Sequence, residues 1–153
     1  MNGSTRARGR GFTLTELLIA VAIVAILATV AFPLYTQYSL RSHRAQAMTD
    51  LGTCAQALER HYTVNFTYVT AAVDPDDLPT PPNLCPQQSP QQNPRYNIRL
   101  SAVTANNFVL RALPIAGGAQ AGDGVLELRA DGQRLWYRND DAATTTPQEG
   151  WDE

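Results

Sequence analysis

The sequence contains no lysine, only two cysteines and only two histidines. The scarcity of these residues restricts the binding, catalytic and metal sites that the chain can form. All twelve basic residues are arginines, and three of them lie within the first eleven residues. Residues 12–153 therefore carry nine arginines against fourteen aspartates and glutamates, which is a net charge of minus five. This balance argues against a general phosphate-binding surface, so any contact with nucleic acid would have to be local.

Motifs for catalysis and for tight metal binding are also missing. The sequence has no Ser, His and Asp set, no zinc motif and no phosphate-binding loop. His43 and His61 would lie about 27 Å apart on one helix and cannot bind the same metal. Asp74, Asp76 and Asp77 lack the glycine and the final glutamate of a calcium loop. We therefore predict that the chain is not an enzyme and has no cofactor and no metal site.

Charge is absent from one long apolar run. No residue between Glu16 and Arg41 is charged, and Leu17–Phe32 is apolar except for Thr29, which is about the length needed to cross ~30 Å of hydrocarbon. The segment before the run has three arginines and no acidic residue, so the N-terminus is predicted to stay in the cytoplasm. The rest of the chain is then exported.

Glu16 does not fit an ordinary membrane anchor or a secretory signal. A carboxylate in lipid costs roughly 2.5–3.5 kcal/mol at mid-bilayer and less near an interface, so this side chain needs a partner. An ordinary signal would be cut after the apolar run, and an acidic residue at its start would be anomalous.

The helical pattern continues beyond the apolar run, and Phe12–Tyr62 is predicted to form one helix of about 75 Å. Pro33 predicts a kink or local unwinding, where the hydroxyl of Thr29 could satisfy a freed backbone group. Apolar residues at helical spacing predict a buried stripe: Ala47, Leu51, Cys54, Ala55, Leu58 and Tyr62. The opposite side is predicted to face solvent: Arg44, Asp50, Thr53, Gln56 and Arg60.

The second half of the chain predicts an antiparallel sheet, and so an α+β fold class. Seven of the ten prolines lie in residues 74–94, which excludes a helix or a central strand and predicts a long extended loop. Asp131-Gly132 is a strong hairpin signal. We predict four strands, within residues 95–138, and no regular structure in the tail, 139–153: 95–103, 107–113, 125–130 and 133–138.

The two cysteines, Cys54 and Cys85, both follow the membrane segment and so lie where disulfides persist. With only two cysteines there is one way to pair them. We predict this disulfide, which would join the helix to the proline-rich loop.

The N-terminal segment GFTLTELLIAVAIVAILATVAFPLY resembles the signature of type IV prepilins. Further segments resemble PilE-like pilins of type IV pili: LGTCAQALERHYTVNFTYV, NFVLRALP and GGAQAGDG. The resemblance implies the type IV pilin fold, a long helix packed by its second half on a four-stranded antiparallel sheet. It also implies three parts: a leader (1–11), a transmembrane and assembly helix (12–40) and a periplasmic globular domain (41–153) that starts with the second half of the helix (41–64).

The resemblance further implies how the chain is processed. In such families a prepilin peptidase cuts after the glycine and methylates the new N-terminus, which makes Gly11 the residue before the cut and Phe12 the N-methylated first residue. Glu16 is then the acidic residue at the fifth mature position. The ammonium of one subunit can pair with Glu16 of its neighbour in a helix bundle, so Glu16 is predicted to be an assembly group.

The implied partners are other pilin subunits in a helical filament, the prepilin peptidase, an inner-membrane assembly platform and, before assembly, membrane lipid. The precursor would span the inner membrane once, with its N-terminus in the cytoplasm, and the assembled subunit would lie in a cell-surface pilus. We interpret the chain as a minor pilin that serves pilus assembly, twitching motility, adhesion or DNA uptake.

Two alternatives remain open. A pseudopilin of a type II secretion system would share the N-terminal chemistry. A competence pilin that binds DNA would need a cluster of exposed arginines, and six arginines are predicted on polar strand faces: Arg95, Arg99, Arg111, Arg129, Arg134 and Arg138. A solvated outer sheet face requires the same pattern, and it is the interpretation that we favour.

Overall fold

One helix, α1 (Leu14–Asn65), accounts for 52 residues and carries both the apolar run and the predicted buried stripe. The computed structural model describes residues 12–71, 83–138 and 148–151. The chain divides into two compact units, one ending at Tyr38 and the other beginning at Ser39.

In the first unit, α1 is long and apolar enough to cross a membrane. All residues from Phe12 to Tyr38 are exposed. A kink or local unwinding is predicted at Pro33, and α1 stays helical through this residue, so of the two only the kink stays a prediction. The hydroxyl of Thr29 donates to the carbonyl of Ile26 at 2.7 Å, so it satisfies a different backbone group from the one freed by the proline. Whether the axis bends at Pro33 stays a prediction.

In the second unit, the predicted stripe of α1 is largely confirmed. Ala47, Leu51, Cys54 and Leu58 are buried, while Ala55 and Tyr62 are partly buried against the same core. The prediction that Arg44 faces solvent is wrong, since it is buried. Arg44 lies one turn before Ala47 on the packed side of α1, where the carboxylate of Asp123, in the connection between β3 and β4, pairs with it.

The second unit also contains a six-stranded antiparallel sheet whose strands follow one another in chain order. The strands are β1 (Gln88–Ser89), β2 (Tyr96–Val103), β3 (Phe108–Pro114), β4 (Val125–Arg129), β5 (Arg134–Tyr137) and β6 (Gln148–Glu149). The α+β fold class and the four central strands are therefore confirmed. The prediction of no regular structure in 139–153 is wrong at β6, and the loop predicted for 74–94 contains β1; both edge strands were missed because two residues are too few to show alternation.

The core lies between α1 and one face of the sheet, here called the inner face. Alternate residues of β2 and β3 point to this face, among them Ile98 opposite Ala112 and Leu100 opposite Leu110. Trp136 of β5 joins the same core. The residues that alternate with these point to the other side, here called the outer face.

Candidate functional site

The N-terminus of α1 is closed by a reciprocal cap between Thr13 and Glu16. The backbone N–H of Thr13 and its hydroxyl donate to Oε2 of Glu16 at 2.9 and 2.8 Å. In return, the backbone N–H of Glu16 donates to the hydroxyl of Thr13 at 3.3 Å. This is a capping box, in which the threonine and the glutamate satisfy two backbone donors that would otherwise lack a partner.

The cap gives Glu16 a partner within its own chain. It also places the carboxylate beside the backbone that follows Phe12, the residue predicted to become the new N-terminus. Gly11 lies outside the described residues, so cleavage after it stays a prediction.

Cys54 and Cys85 form the predicted disulfide. Both cysteines are buried, and both belong to the core cluster between α1 and the sheet. The bond ties α1 to the segment just before β1, which is the outcome expected from the sequence.

Three of the six strand arginines share one area of the outer face, here called the arginine cluster: Arg99, Arg111 and Arg129. Arg99 of β2 lies opposite Arg111 of β3, and Arg111 in turn lies opposite Glu127 of β4. Arg129 is two residues beyond Glu127 on the same face of β4. The sheet register therefore places Arg111 and Arg129 beside one carboxylate, with Arg99 one strand beyond Arg111.

Glu127 pairs with two of these arginines at once. Its Oε2 accepts from Nε of Arg111 at 2.7 Å, and its Oε1 accepts from Nε of Arg129 at 2.6 Å. The Glu127 side chain is 0% exposed, whereas those of Arg111 and Arg129 are 30% and 39% exposed. The hydrogen bond to Glu127 raises the pKa of Arg129 above its ordinary value.

Arg134 and Arg138 do not join this cluster. Arg134 lies opposite Leu128, and so it and Arg138 have the inner-face alternation rather than the predicted polar one. The guanidinium of Arg134 stacks over Trp151 at 5.2 Å, and that of Arg138 over Trp136 at 4.5 Å. The prediction that these two arginines lie on the polar face is wrong because both faces of β5 carry buried residues. The apolar pattern therefore does not fix which way a side chain points.

A buried polar network links α1 to the connection between β3 and β4. Arg44 donates to both carboxylate oxygens of Asp123, and Asp123 also accepts from the hydroxyl of Tyr96 and from Gln120. Burial alone would raise the pKa of Asp123, but the hydrogen bonds from Arg44, Tyr96 and Gln120 outweigh it and leave the pKa below its ordinary value. Arg44 also stacks over Trp136 at 3.8 Å.

No group of three or more His, Cys, Asp or Glu side chains that could hold a metal occurs within residues 12–71, 83–138 and 148–151. Asp74, Asp76 and Asp77 lie outside these ranges, so the prediction about calcium stays untested there.

Two important residues were missed in the sequence. Thr13 could have been found, because Thr13-Leu-Thr-Glu16 has the capping-box spacing before an apolar run. Glu127 could not, because only the sheet register brings Arg111 opposite to it.

Two family models match the chain. One, described as "Type IV minor pilin ComP, DNA uptake sequence receptor", matches residues 33–124, which is more than half of the chain. The other, described as "Prokaryotic N-terminal methylation motif", matches residues 6–32. Together they cover both the apolar segment and most of the globular unit.

Individual relatives are similar to this chain over shorter stretches. The type IV major fimbrial protein FimA of Dichelobacter nodosus is 46% identical over 33% of this chain and 32% of its own length. The type IV major pilin protein PilA of Myxococcus xanthus is 39% identical over 40% of this chain and 28% of its own length. A fimbrial protein of Pseudomonas aeruginosa is 36% identical over 44% of each chain. The chain thus spans less than half the length of the curated relatives it matches.

Among solved structures, the minor pilin PilV of Neisseria meningitidis is similar, with a TM-score of 0.48 and 22% sequence identity. The match covers 76% of this chain and 93% of that protein.

Proposed function

We propose that this chain, which belongs to the family of type IV minor pilins described as ComP, DNA uptake sequence receptor, is cleaved after Gly11 and polymerises into a pilus through α1. As a member of this family it is a structural pilin subunit and not an enzyme. The observation that carries the proposal is the exposed apolar surface of α1 from Phe12 to Tyr38, in which Glu16 is the one charged side chain.

That surface suits two environments in succession. Before assembly it matches the hydrocarbon of a membrane, and in a pilus it would be covered by the same surface of neighbouring subunits. Glu16 favours the pilus over the membrane, because a carboxylate gains nothing from lipid but can pair with the ammonium on Phe12 of a neighbouring subunit. The methylation-motif match over residues 6–32 supports the processing step that would create this ammonium.

Processing is tested by the intact mass of the protein in the cell envelope. We expect a species that begins with N-methylated Phe12 and retains all of α1, and a Gly11→Leu variant that stays uncut because a small residue is needed at the cleavage site. A mature species that begins after Ala22 or Ala31 would indicate ordinary signal-peptide removal and would contradict the pilin proposal.

A second candidate function, binding of DNA, is favoured by the arginine cluster. The family model that matches residues 33–124 carries the description of a DNA uptake sequence receptor. On this chain the outer face offers three arginines beside one buried carboxylate, in a domain that is acidic as a whole. Guanidinium groups bind phosphate through paired N–H donors.

We expect the full mature chain, held in a neutral detergent, to bind a short labelled DNA duplex with an affinity that falls as salt rises. Replacing Arg111 by alanine should weaken binding and reduce the slope of log affinity against log salt by about one, since one phosphate contact is lost. The matched control is Arg60→Ala, which removes the same charge from the exposed side of α1. Equal effects of the two variants would show that only net charge matters and that the arginine cluster is not the site.

A further inference from the structure

Glu127 is the one residue of the arginine cluster whose charge opposes an anionic ligand. It lies between two of the three arginines, opposite Arg111 and two residues from Arg129. If the cluster served only to attract DNA through its net charge, a carboxylate at this place would weaken it. The position of Glu127 therefore needs a separate explanation.

Fold stability does not supply that explanation. A buried carboxylate must be paired, and a buried ion pair can often be replaced by apolar residues of similar volume without loss of stability. The same face already has apolar neighbours, Val125, Leu135 and Tyr137, which form a small buried cluster of their own. Arg99 opposite Arg111 adds a pair of like charges across two strands, an arrangement that destabilises a sheet. If stability were their only role, these charges would therefore disfavour folding.

The geometry of Glu127 indicates instead that its carboxylate supports the arginine side chains. Each carboxylate oxygen holds the Nε–H of a different arginine, at 2.7 Å for Arg111 and 2.6 Å for Arg129. These bonds use Nε and not the terminal Nη groups, which are the end of the fork that meets a phosphate. Arg129 is held further by a bond from Nη1 to Gln133 at 3.2 Å, and the Arg111 guanidinium lies 6.0 Å from the ring of Tyr137.

We propose that Glu127 is a positioning residue that fixes the guanidinium groups of Arg111 and Arg129 for contact with the phosphate backbone of DNA. The carboxylate is fully buried beneath two partly exposed cations, so it restrains both side chains and presents no anionic surface of its own. Two long side chains that are held in place lose less conformational entropy when a ligand binds. This inference rests on the proposed DNA-binding function.

The Glu127→Gln variant tests the inference by the direction of its effect. Glutamine has nearly the same shape as glutamate but no negative charge. Attraction through net charge alone therefore predicts that the variant binds DNA more tightly. Positioning predicts the reverse, namely binding weaker by about five- to tenfold and a shallower salt dependence, because both guanidinium groups lose their charged anchor. The measurement is the same duplex titration in neutral detergent over a series of salt concentrations.

Asp50→Asn is the matched control. It makes the same change in net charge, on α1 across the sheet, where Asp50 accepts a hydrogen bond from Gln46. We expect this variant to bind DNA as tightly as the unchanged protein or slightly more tightly. Weaker binding by Glu127→Gln alone supports positioning, whereas unchanged or tighter binding overturns it and leaves the DNA-binding proposal standing.

Arg111→Lys provides a second test if Glu127→Gln does not fold, which thermal unfolding would reveal. Lysine keeps the charge of Arg111 but lacks the Nε and the fork that Glu127 holds, so we expect a loss similar to that of Glu127→Gln. Affinity equal to that of the unchanged protein would overturn the inference. If the unchanged protein shows no salt-dependent binding, the DNA-binding proposal fails first and this inference fails with it.

Discussion

A Glu16→Val variant is expected to remain in the membrane, to be cut after Gly11, and to be almost absent from sheared pili. Valine lengthens the apolar run, so insertion should be as good as before or better. In a pilus, however, the ammonium of a neighbouring Phe12 would lose its partner. An unpaired charge in a low-dielectric bundle costs several kcal/mol, which corresponds to incorporation lower by orders of magnitude.

The capping box offers a competing explanation, because Glu16 also closes the N-terminus of α1 through Thr13. Loss of a cap costs only about 1 kcal/mol, too little to abolish incorporation by itself. Glu16→Gln separates the two roles, since glutamine can complete a capping box but carries no charge. We expect Glu16→Gln to be as depleted from pili as Glu16→Val.

The measurement is the ratio of each variant in sheared pili to its amount in the membrane, determined by quantitative mass spectrometry. Thr13→Ala serves as the control that disturbs the cap and keeps the charge, and we expect it to reduce this ratio only slightly. Normal incorporation of Glu16→Gln would show that capping, and not charge pairing, is the role of this residue.

Removing the disulfide is expected to have the largest effect on the stability of the globular unit. Cys54 and Cys85 are separated by 31 residues in the sequence, and a cross-link that closes a loop of this length contributes roughly 3–4 kcal/mol in the chain-entropy model. The Cys54→Ala, Cys85→Ala double variant should lower the free energy of unfolding by at least this amount, since two buried side chains are also shortened.

Denaturant unfolding followed by tryptophan fluorescence measures this loss, because both tryptophans, Trp136 and Trp151, lie in the same core as the disulfide. The control is the unchanged protein in reductant, which keeps both sulfur atoms and loses only the cross-link. Similar losses in the two samples would attribute the effect to the cross-link. A loss below about 1 kcal/mol in both would contradict the prediction, since the chain-entropy model requires more for such a loop.

The sequence predicted the elements that depend on local patterns. The stripe of Leu51, Cys54 and Leu58 follows from the helical period alone, and the two cysteines leave one possible pairing. The four central strands are each long enough to show alternation. These features depend only on residues that are close together in the chain, or on the number of cysteines.

The errors concern residues whose environment is set by distant parts of the chain. Arg44 was assigned to solvent because its partner, Asp123, lies 79 residues further on. Arg134 was placed on the wrong face because its neighbours in β5 are buried on both sides. The role of Glu127 depends in the same way on the pairing of β3 with β4. The arginine cluster could thus be proposed from the sequence, but its membership and its central carboxylate could not.

The order of the strands also bears on how the domain folds during export. Each strand pairs with the strands next to it in the sequence, an arrangement of mostly local contacts that favours rapid folding. If the residues after the apolar run are exported in sequence order, the second half of α1 emerges first, then Cys85, and then each strand directly after its pairing partner. The pairing of Arg44 with Asp123 is different, because it must wait until the connection between β3 and β4 has emerged. That buried ion pair would therefore form late, and it would link the partly formed sheet to α1.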